Sequence, residues 1–196
     1  DASDFLCLWN VWLDHCREEG YDEVFYKPLP CIYHLMPSQA DEYALFRSDA
    51  ERIEVNVSST VDVRCNRGFN TLMRRQLRKA RQTGLSVVET DDVDGFSAML
   101  CGCLRERHGA VPVHSASELR LLRSRFPDRI RIFAVESDGS MQAGVCVYDT
   151  GIVAHAQYIA STPEGRRLHL VPLVFGHLIG EVFADQSEER CVGKEC

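Results

Sequence analysis

Three side chains in the second half of the chain are candidate catalytic residues: His114, Gln157 and Tyr158. His114 lies in a P-V-H-S loop ahead of a predicted helix, and a loop imidazole beside a cleft can act as a general base. Gln157 and Tyr158 are neighbours on a predicted strand, so their side chains point to opposite faces and at most one reaches a cleft directly. The alternatives are a histidine that only orders its loop and an ordinary half-buried tyrosine.

A run of basic residues points to a second kind of chemistry, the binding of anions. No acidic residue lies between Arg64 and Val88, and Arg74, Arg78 and Arg81 recur at i, i+4 and i+7, which places them on one helix face. The net charge of −7 excludes a diffuse positive field, so a site for a polyanion has to be local. The pattern predicts an anion site; the alternative is a solvated face that pairs with the acidic run at residues 89–94.

The composition restricts the class of protein. Apolar residues make up 45% of the chain and charged residues 26%, which is typical of a core-forming soluble protein. The longest apolar stretch, residues 168–184, is interrupted by polar side chains and predicts a buried helix rather than a membrane span. Nine cysteines occur without a C-x-x-C pair or a zinc-type spacing, so we expect no metal site and reduced, mostly buried thiols in a cytoplasmic protein.

Apolar periodicity predicts the elements that position these side chains. It predicts helices over residues 4–18, from 38 onward, 66–83, 93–107, 117–126 and 166–183. Alternating apolar residues predict strands over residues 24–26, 32–35, 53–63, 85–89, 129–136, 142–149 and 152–160. Pro172 requires the last helix to begin, in effect, near His169, because proline is tolerated only in a first turn. The order from residue 63 onward predicts an α+β fold with a mixed sheet.

Five stretches, in this order, resemble the FemAB-like branch of the GNAT acyltransferase superfamily: YKPLPCIYH, DEYALFR, RRQLRKARQTG, PVHSASELRLLRSRFPDRIRIF and HAQYIASTPEGRRLH. The resemblance implies a GNAT-like mixed, mainly antiparallel sheet flanked by helices and incomplete at both ends. It also implies two GNAT-like halves. Residues 1–62 are then the C-terminal part of a first half, and residues 63–186 a second domain that lacks its last strand and helix.

The two ends of the chain read differently from the rest. The chain starts at Asp1 inside a helical pattern, so we expect the native N-terminus to lie upstream. Residues 187–196, SEERCVGKEC, resemble one reading frame of a sequencing-library adapter, with Cys191 where arginine is expected. We interpret this segment as an assembly artefact; the alternative is a genuine polar tail. Sequencing the source gene across codon 187 separates the two interpretations.

The resemblance also implies where a donor binds. The strand over residues 152–160 would part from its neighbour and open a cleft, with Ile159 and Ala160 along it. The loop at 162–167 would lead into a helix whose N-terminus faces that cleft. A helix N-terminus can bind a pyrophosphate or carboxylate. Gly165 would allow close approach of the backbone, and Arg166 and Arg167 would add charged donors.

The activity that the resemblance implies is transfer of an acyl or aminoacyl group to an amine, in cell-wall or polysaccharide assembly, with acyl-CoA or aminoacyl-tRNA as donor. His169 stands where acyl-CoA enzymes of the superfamily carry glycine, which favours aminoacyl-tRNA. The basic helix would then hold tRNA phosphates or a lipid-linked pyrophosphate. Two alternatives stay open, an acyl-CoA-dependent N-acetyltransferase and a non-catalytic binding module, and the sequence does not indicate the oligomeric state.

Overall fold

The computed structural model describes residues 1–63, 65, 68–184 and, for the backbone alone, 191–194. The chain forms two compact units, residues 1–56 and residues 57–196. The assignment of residues 1–62 and 63–186 to two GNAT-like halves stays a prediction. The proposed artefact at 187–196 lies outside the described residues except for 191–194.

The first unit is built from two helices and an irregular segment between them. Helix α1 spans Ala2–Glu18 and helix α2 spans Ala40–Arg47, with one 3-10 turn at Cys31–Tyr33. Asp1 caps α1, because its carboxylate accepts the backbone N–H groups of Ser3 and Asp4 at 2.7 and 3.0 Å. The predicted strands at 24–26 and 32–35 are wrong: prolines at 28 and 30 deny the ladder its N–H donors, and the backbone there is irregular.

The second unit is an α+β layer structure. Its elements are β1 (Ser59–Asp62), α3 (Thr71–Arg81), β2 (Val87–Thr90), α4 (Val93–His108), α5 (Ala116–Arg125), β3 (Ile130–Ser137), β4 (Ser140–Asp149), β5 (Val153–Ser161), α6 (Pro163–Arg167), α7 (Leu170–His177) and β6 (Cys191–Lys194). The strand predicted over 53–63 is reduced to β1. Helix α3 begins later than predicted, because the Asn70 side chain caps it by accepting the Met73 N–H at 2.8 Å.

The six strands that the structure describes form one mixed sheet in the order β1-β6-β5-β4-β3-β2. Strands β2, β3, β4 and β5 pair antiparallel, and β6 pairs parallel to β5 and antiparallel to β1. The prediction of a mixed, mainly antiparallel sheet flanked by helices is therefore confirmed. Within the described chain, none of the helices is long and apolar enough to cross a bilayer.

Two apolar cores cover the two faces of this sheet. One core joins α3 and α7 to the sheet through Leu77, Ala80, Leu170 and Val174. The other joins α4 and α5 to the opposite face through residues such as Phe96. The strands contribute alternate residues to each core, as the period of two in a strand requires. A side chain on β5 therefore faces either the α3/α7 side or the α4/α5 side.

The helix predicted over 166–183 is divided. Helix α6 ends at Arg167, and α7 begins after His169, whose backbone has φ +58° and ψ +39°. Pro172 is the third residue of α7, so it falls in the first turn as the sequence requires. A π-helical turn, Leu178–Val182, ends the segment.

The prediction of mostly buried thiols is wrong. Cys7, Cys31 and Cys65 are exposed, and Cys146 alone among the cysteines with described side chains is buried. All of those cysteines are free thiols. Burial follows from position: Cys146 lies at the centre of β4, whereas the exposed thiols lie on a helix surface or in irregular segments.

Candidate functional site

The structure brings together two of the three predicted catalytic residues. Tyr158 Oη lies 2.5 Å from His114 Nδ1, and the His114 backbone N–H donates to the same oxygen at 3.3 Å. The two residues are 44 positions apart in the chain. A phenol oxygen can accept these two hydrogen bonds and still donate its own proton, so the contact is suited to passing a proton between side chains.

A cap on the next helix holds His114 in place. Ser115 caps α5 and its side chain accepts the Glu118 N–H at 3.3 Å, while the Glu118 carboxylate accepts the Ser115 N–H at 2.8 Å and the Ser115 hydroxyl at 2.7 Å. These hydrogen bonds from Ser115 lower the pKa of Glu118. The S-x-x-E spacing is a capping box that can be recognised in the sequence. It fixes the residue that follows His114 and so limits where the imidazole can lie.

A β-bulge turns Tyr158 towards the α4/α5 side. The register between β4 and β5 pairs Cys146 with Tyr158 but Val147 with Ala156, so Gln157 is the extra residue on β5. Ala156 consequently packs in the core under α7, whereas Tyr158 packs in the core under α4. In a regular strand, residues 156 and 158 would share a face. Sequence reasoning missed this bulge, because a register shift depends on the partner strand.

The surroundings of Tyr158 are apolar. Burial raises the pKa of the Cys146 thiol to about 12, so this cysteine is a neutral core residue at ordinary pH. Burial also raises the pKa of the Tyr148 phenol, whose buried hydroxyl makes no hydrogen bond within the described structure. Tyr158 itself is 9% exposed. In such surroundings the hydrogen bond between Tyr158 and His114 is strengthened by the low local dielectric.

A cavity of about 560 Å³ opens beside His114, between α4 and the loop that precedes α5. Its wall is mainly apolar and includes Ala98, Cys101, Pro112 and Val113 next to the imidazole. His114 lines the cavity and Tyr158 does not, so the imidazole is the member of the pair that a ligand in the cavity would meet. Its volume is in the range of small-molecule sites.

Strand β5 has a partly uncovered edge. Strand β6 pairs with β5 only at Val153, Ala154 and His155. From Ala156 to Ser161, that edge of β5 has no strand partner among the described residues. The segment includes Gln157, whose side chain is half-buried, and two predicted donor-binding residues, Ile159 and Ala160. Its outward-facing backbone groups are the ones that a bound carbonyl or amide could pair with.

The turn after β5 uses several of its hydrogen-bond donors within the chain. Gly165 packs against the sheet, where an added Cβ would overlap the Gln142 carbonyl oxygen, so its lack of a side chain serves internal packing. Pro163 has no N–H, and the Gly165 N–H donates to Thr162 Oγ1 at 3.0 Å. The two predicted arginines pair internally: Arg166 with Glu106 at 3.1 Å, and Arg167 with Glu164 at 2.5 Å. These donors are therefore engaged within the chain in this structure, and the pyrophosphate cradle stays a prediction.

The basic helix keeps its predicted arrangement. Arg74, Arg78 and Arg81 lie exposed on α3 and line one groove of about 550 Å³, together with Phe69, Leu77 and Gln82. This groove lies on the α3/α7 side of the sheet, whereas Tyr158 and His114 lie on the α4/α5 side. The structure therefore does not bring the three arginines to the Tyr158–His114 pair.

Several comparisons bear on this architecture. Residues 68–191 match the family profile of the acetyltransferase (GNAT) domain. No curated protein matches the chain by sequence. One similar solved structure is the C-terminal domain of a protein designated a lysylphosphatidylglycerol synthetase from Agrobacterium fabrum, with a TM-score of 0.68 at 14% identity over 100% of this chain and 60% of that one. Another is FemX, with a TM-score of 0.64 at 13% identity over 98% of this chain and 68% of that one.

Those two likenesses establish a shared fold, and the chain spans 60% and 68% of the two solved chains. The profile match covers more than half of the present chain. It includes strands β2 to β5, helices α4 and α5 on one face of the sheet and helix α7 on the other. The chain belongs to the acetyltransferase (GNAT) domain family.

Proposed function

We propose that this protein transfers an acyl or aminoacyl group from an activated donor to an amine. The observation that carries the proposal is the 2.5 Å contact between His114 Nδ1 and Tyr158 Oη at the bulge of β5. Attack by an amine on an ester or thioester requires that the amine lose a proton and that the leaving group gain one. A connected histidine and tyrosine can do both without a covalent intermediate.

In this mechanism the amine enters the cavity beside His114 and gives its proton to Nε2. Nδ1 passes its own proton to Tyr158, and the Tyr158 hydroxyl proton goes to the leaving group. The imidazole therefore begins protonated on Nδ1 and ends protonated on Nε2, and the number of protons on the pair is unchanged. His114 is the catalytic residue that meets the amine, and Tyr158 both orients it and delivers the second proton.

We place the acyl donor along the uncovered edge of β5. The segment from Ala156 to Ser161 offers backbone N–H groups that can polarise the carbonyl under attack. Gln157 is the extra residue at the bulge, between Ala156, which packs under α7, and Tyr158, which packs under α4. Its half-buried side chain is placed to contact the donor next to the reacting carbonyl, which is the role that we propose for it.

The donor that we favour is aminoacyl-tRNA. A CoA donor carries a pyrophosphate, and the turn at α6 presents few free donors to it, because Gly165 and both arginines are engaged internally. An aminoacyl ester on RNA does not require that turn. The acceptor that we propose is an amine-bearing precursor of cell wall or polysaccharide, met in the cytoplasm, where aminoacyl-tRNA is made.

The test uses the full-length protein, with aminoacyl-tRNA and acetyl-CoA offered separately as donors to an amine acceptor. Tyr158→Phe removes one hydroxyl and should lower kcat about 100-fold with little change in KM. Tyr148→Phe is the matched control, because the Tyr148 hydroxyl has no hydrogen-bond partner within the described structure. Equal rates for wild type and Tyr158→Phe would refute the mechanism. Absence of transfer from every donor, with donor binding retained, would favour the non-catalytic binding module.

One observation favours the acyl-CoA alternative. The backbone of His169 has φ +58°, a conformation that glycine adopts most easily, so the turn keeps a glycine-like shape. If the imidazole alone crowds a CoA pyrophosphate, His169→Gly should raise the affinity for CoA in isothermal titration. Tight binding of CoA by the wild type, with no effect of tRNA, would reverse our preference for aminoacyl-tRNA.

A further inference from the structure

The groove on α3 has the composition of a site for a phosphate-bearing ligand. Three guanidinium groups, Arg74, Arg78 and Arg81, line it over an apolar floor that includes Phe69 and Leu77. Guanidinium groups bind phosphate oxygens through two parallel N–H donors, and an aromatic ring offers a surface on which a base can stack. Arg75 and Lys79 extend the positive charge around the exposed surface of the same helix.

The nearby carboxylates do not neutralise this groove. The obvious partners for the basic helix are the acidic residues at 89–94, immediately downstream. In the structure Glu89 pairs with Arg131 at 2.7 Å, Asp91 pairs with Arg123, and Asp94 pairs with Arg120 at 3.5 Å.

The basic side chains of α3 make no ion pair with any residue that the structure describes. This local concentration of unpaired positive charge, in a chain of net charge −7, would attract an anionic partner.

The shape of the positive surface favours a linear partner. Arg74, Arg78 and Arg81 lie in a row that extends about 10 Å along the helix, at 1.5 Å per residue. Successive phosphates follow one another along a single nucleic-acid strand, so a row of three guanidinium groups can contact about three of them, one phosphate for each arginine.

We propose that the α3 groove binds the phosphate backbone of a single RNA strand, on the face of the sheet opposite to the Tyr158–His114 pair. The RNA would be the carrier of the aminoacyl donor, so its biological role rests on the proposed function. The binding itself requires only α3. It can therefore fail or succeed independently of the transfer reaction.

The experiment measures the affinity of the full-length protein for a fluorescein-labelled ten-nucleotide oligoadenylate, by anisotropy, between 50 and 300 mM salt. Single-stranded RNA gives a slope of log K against log salt of about −0.7 for each phosphate neutralised, so we expect about −2 for the wild type. Arg78→Gln should weaken binding about tenfold and reduce the magnitude of the slope by about 0.7. All three arginines of the row are exposed, so their replacement should leave the fold intact.

Two control variants separate this surface from other parts of the molecule. Arg105→Gln removes an exposed arginine of α4, on the other face of the sheet, and should leave both affinity and slope unchanged. Tyr158→Phe should also leave RNA affinity unchanged, whatever its effect on transfer. A result in which Tyr158→Phe keeps full transfer activity while Arg78→Gln loses RNA would refute the mechanism and support the groove.

Three outcomes would overturn the proposal. Arg78→Gln and Arg105→Gln could weaken RNA binding equally, which would indicate diffuse electrostatic attraction. Inorganic pyrophosphate could displace the RNA as effectively as unlabelled oligoadenylate does, which would indicate a compact phosphate site. The protein could bind vesicles of phosphatidylglycerol through Arg78 and not bind RNA, which would indicate a membrane surface.

Discussion

At the scale of single residues, the buried hydroxyl of Tyr148, beside the candidate site, lowers the free energy of unfolding. The Tyr148 hydroxyl is buried on β4 without a hydrogen-bond partner among the described residues, and such a group loses its hydration on folding without compensation. Tyr148→Phe should therefore raise the free energy of unfolding by about 1 kcal/mol in urea titration. A loss of stability would show that the hydroxyl is hydrogen-bonded in solution.

Gly165 illustrates the opposite case, a residue fixed by close packing. A Cβ at this position would meet the Gln142 carbonyl oxygen and the Ser161 hydroxyl, and a backbone oxygen cannot move aside without breaking the contact between α6 and β4. Gly165→Ala should destabilise the protein by about 2 kcal/mol, within the range for overpacked sites. The measurement is thermal unfolding of both variants and wild type.

Gly102→Ala is the matched control, since an added Cβ in α4 meets no atom within 4 Å and alanine favours a helix. The control should gain up to about 1 kcal/mol. If both variants lose stability equally, the close approach at Gly165 is not the cause.

At the scale of elements, the pairing of β2 with β3 is reinforced by charge. Glu89 accepts two hydrogen bonds from the Arg131 guanidinium, at 2.9 and 2.7 Å, and these lower the pKa of Glu89. A carboxyl group with a lowered pKa stabilises the fold above the unfolded-state pKa of about 4.3, and this contribution is lost as the pH falls through the folded-state pKa.

Glu89→Gln should accordingly lower the free energy of unfolding at pH 7 by about 0.5 kcal/mol, since the pair is partly exposed to solvent. The difference from wild type should shrink as the pH falls below about 4.3 and should vanish once the pH is below the folded-state pKa of Glu89, where both side chains are neutral. Glu136→Gln, an exposed position on the same strand as Arg131, should show no difference at either pH. A difference that grows on acidification would contradict the sign of this argument.

Some of these elements could be predicted from the sequence, and others could not. Three features depend on residues close together in the chain, so their spacing in the sequence is enough to predict them. They are the capping box of Ser115 and Glu118, the Asn70 cap of α3 and the row of three arginines. The bulge at Gln157 and the contact between His114 and Tyr158 depend on residues far apart in the chain. Local propensity also predicted strands at 24–26 and 32–35 that do not form, because no neighbouring strand supplies hydrogen bonds there.

At the scale of the whole molecule, the chain divides into units 1–56 and 57–196. Residues 51–58, which join them, are irregular and exposed and include Arg52. Limited trypsin digestion should therefore cut early at Arg52, whereas arginines inside helices α3 and α4 should resist. Mass spectrometry of the early products tests this expectation. Arg52→Gln should remove the early cut; early cleavage within α4 instead would contradict the division.

Within the second unit, acidic and basic side chains are also separated, on the two faces of the sheet. Glu89, Asp91 and Asp94 pair with arginines of α5 and β3, while the basic side chains of α3 make no ion pair with the described residues on the other face. Under the proposed function, a protein of net charge −7 would bind a polyanion at one place and an amine at another. The proposed function requires such a separation between the RNA carrier and the acceptor.

The central claim is that His114 and Tyr158 move protons together, and the pH dependence of kcat/KM for aminoacyl transfer tests it most directly. In the wild type, protonation of an imidazole that must accept the amine proton should make the rate fall as the pH is lowered. In His114→Gln the rate should be about 100-fold lower and this acidic limb should be absent. A His114→Gln variant that keeps both the wild-type rate and the same acidic limb would contradict the account.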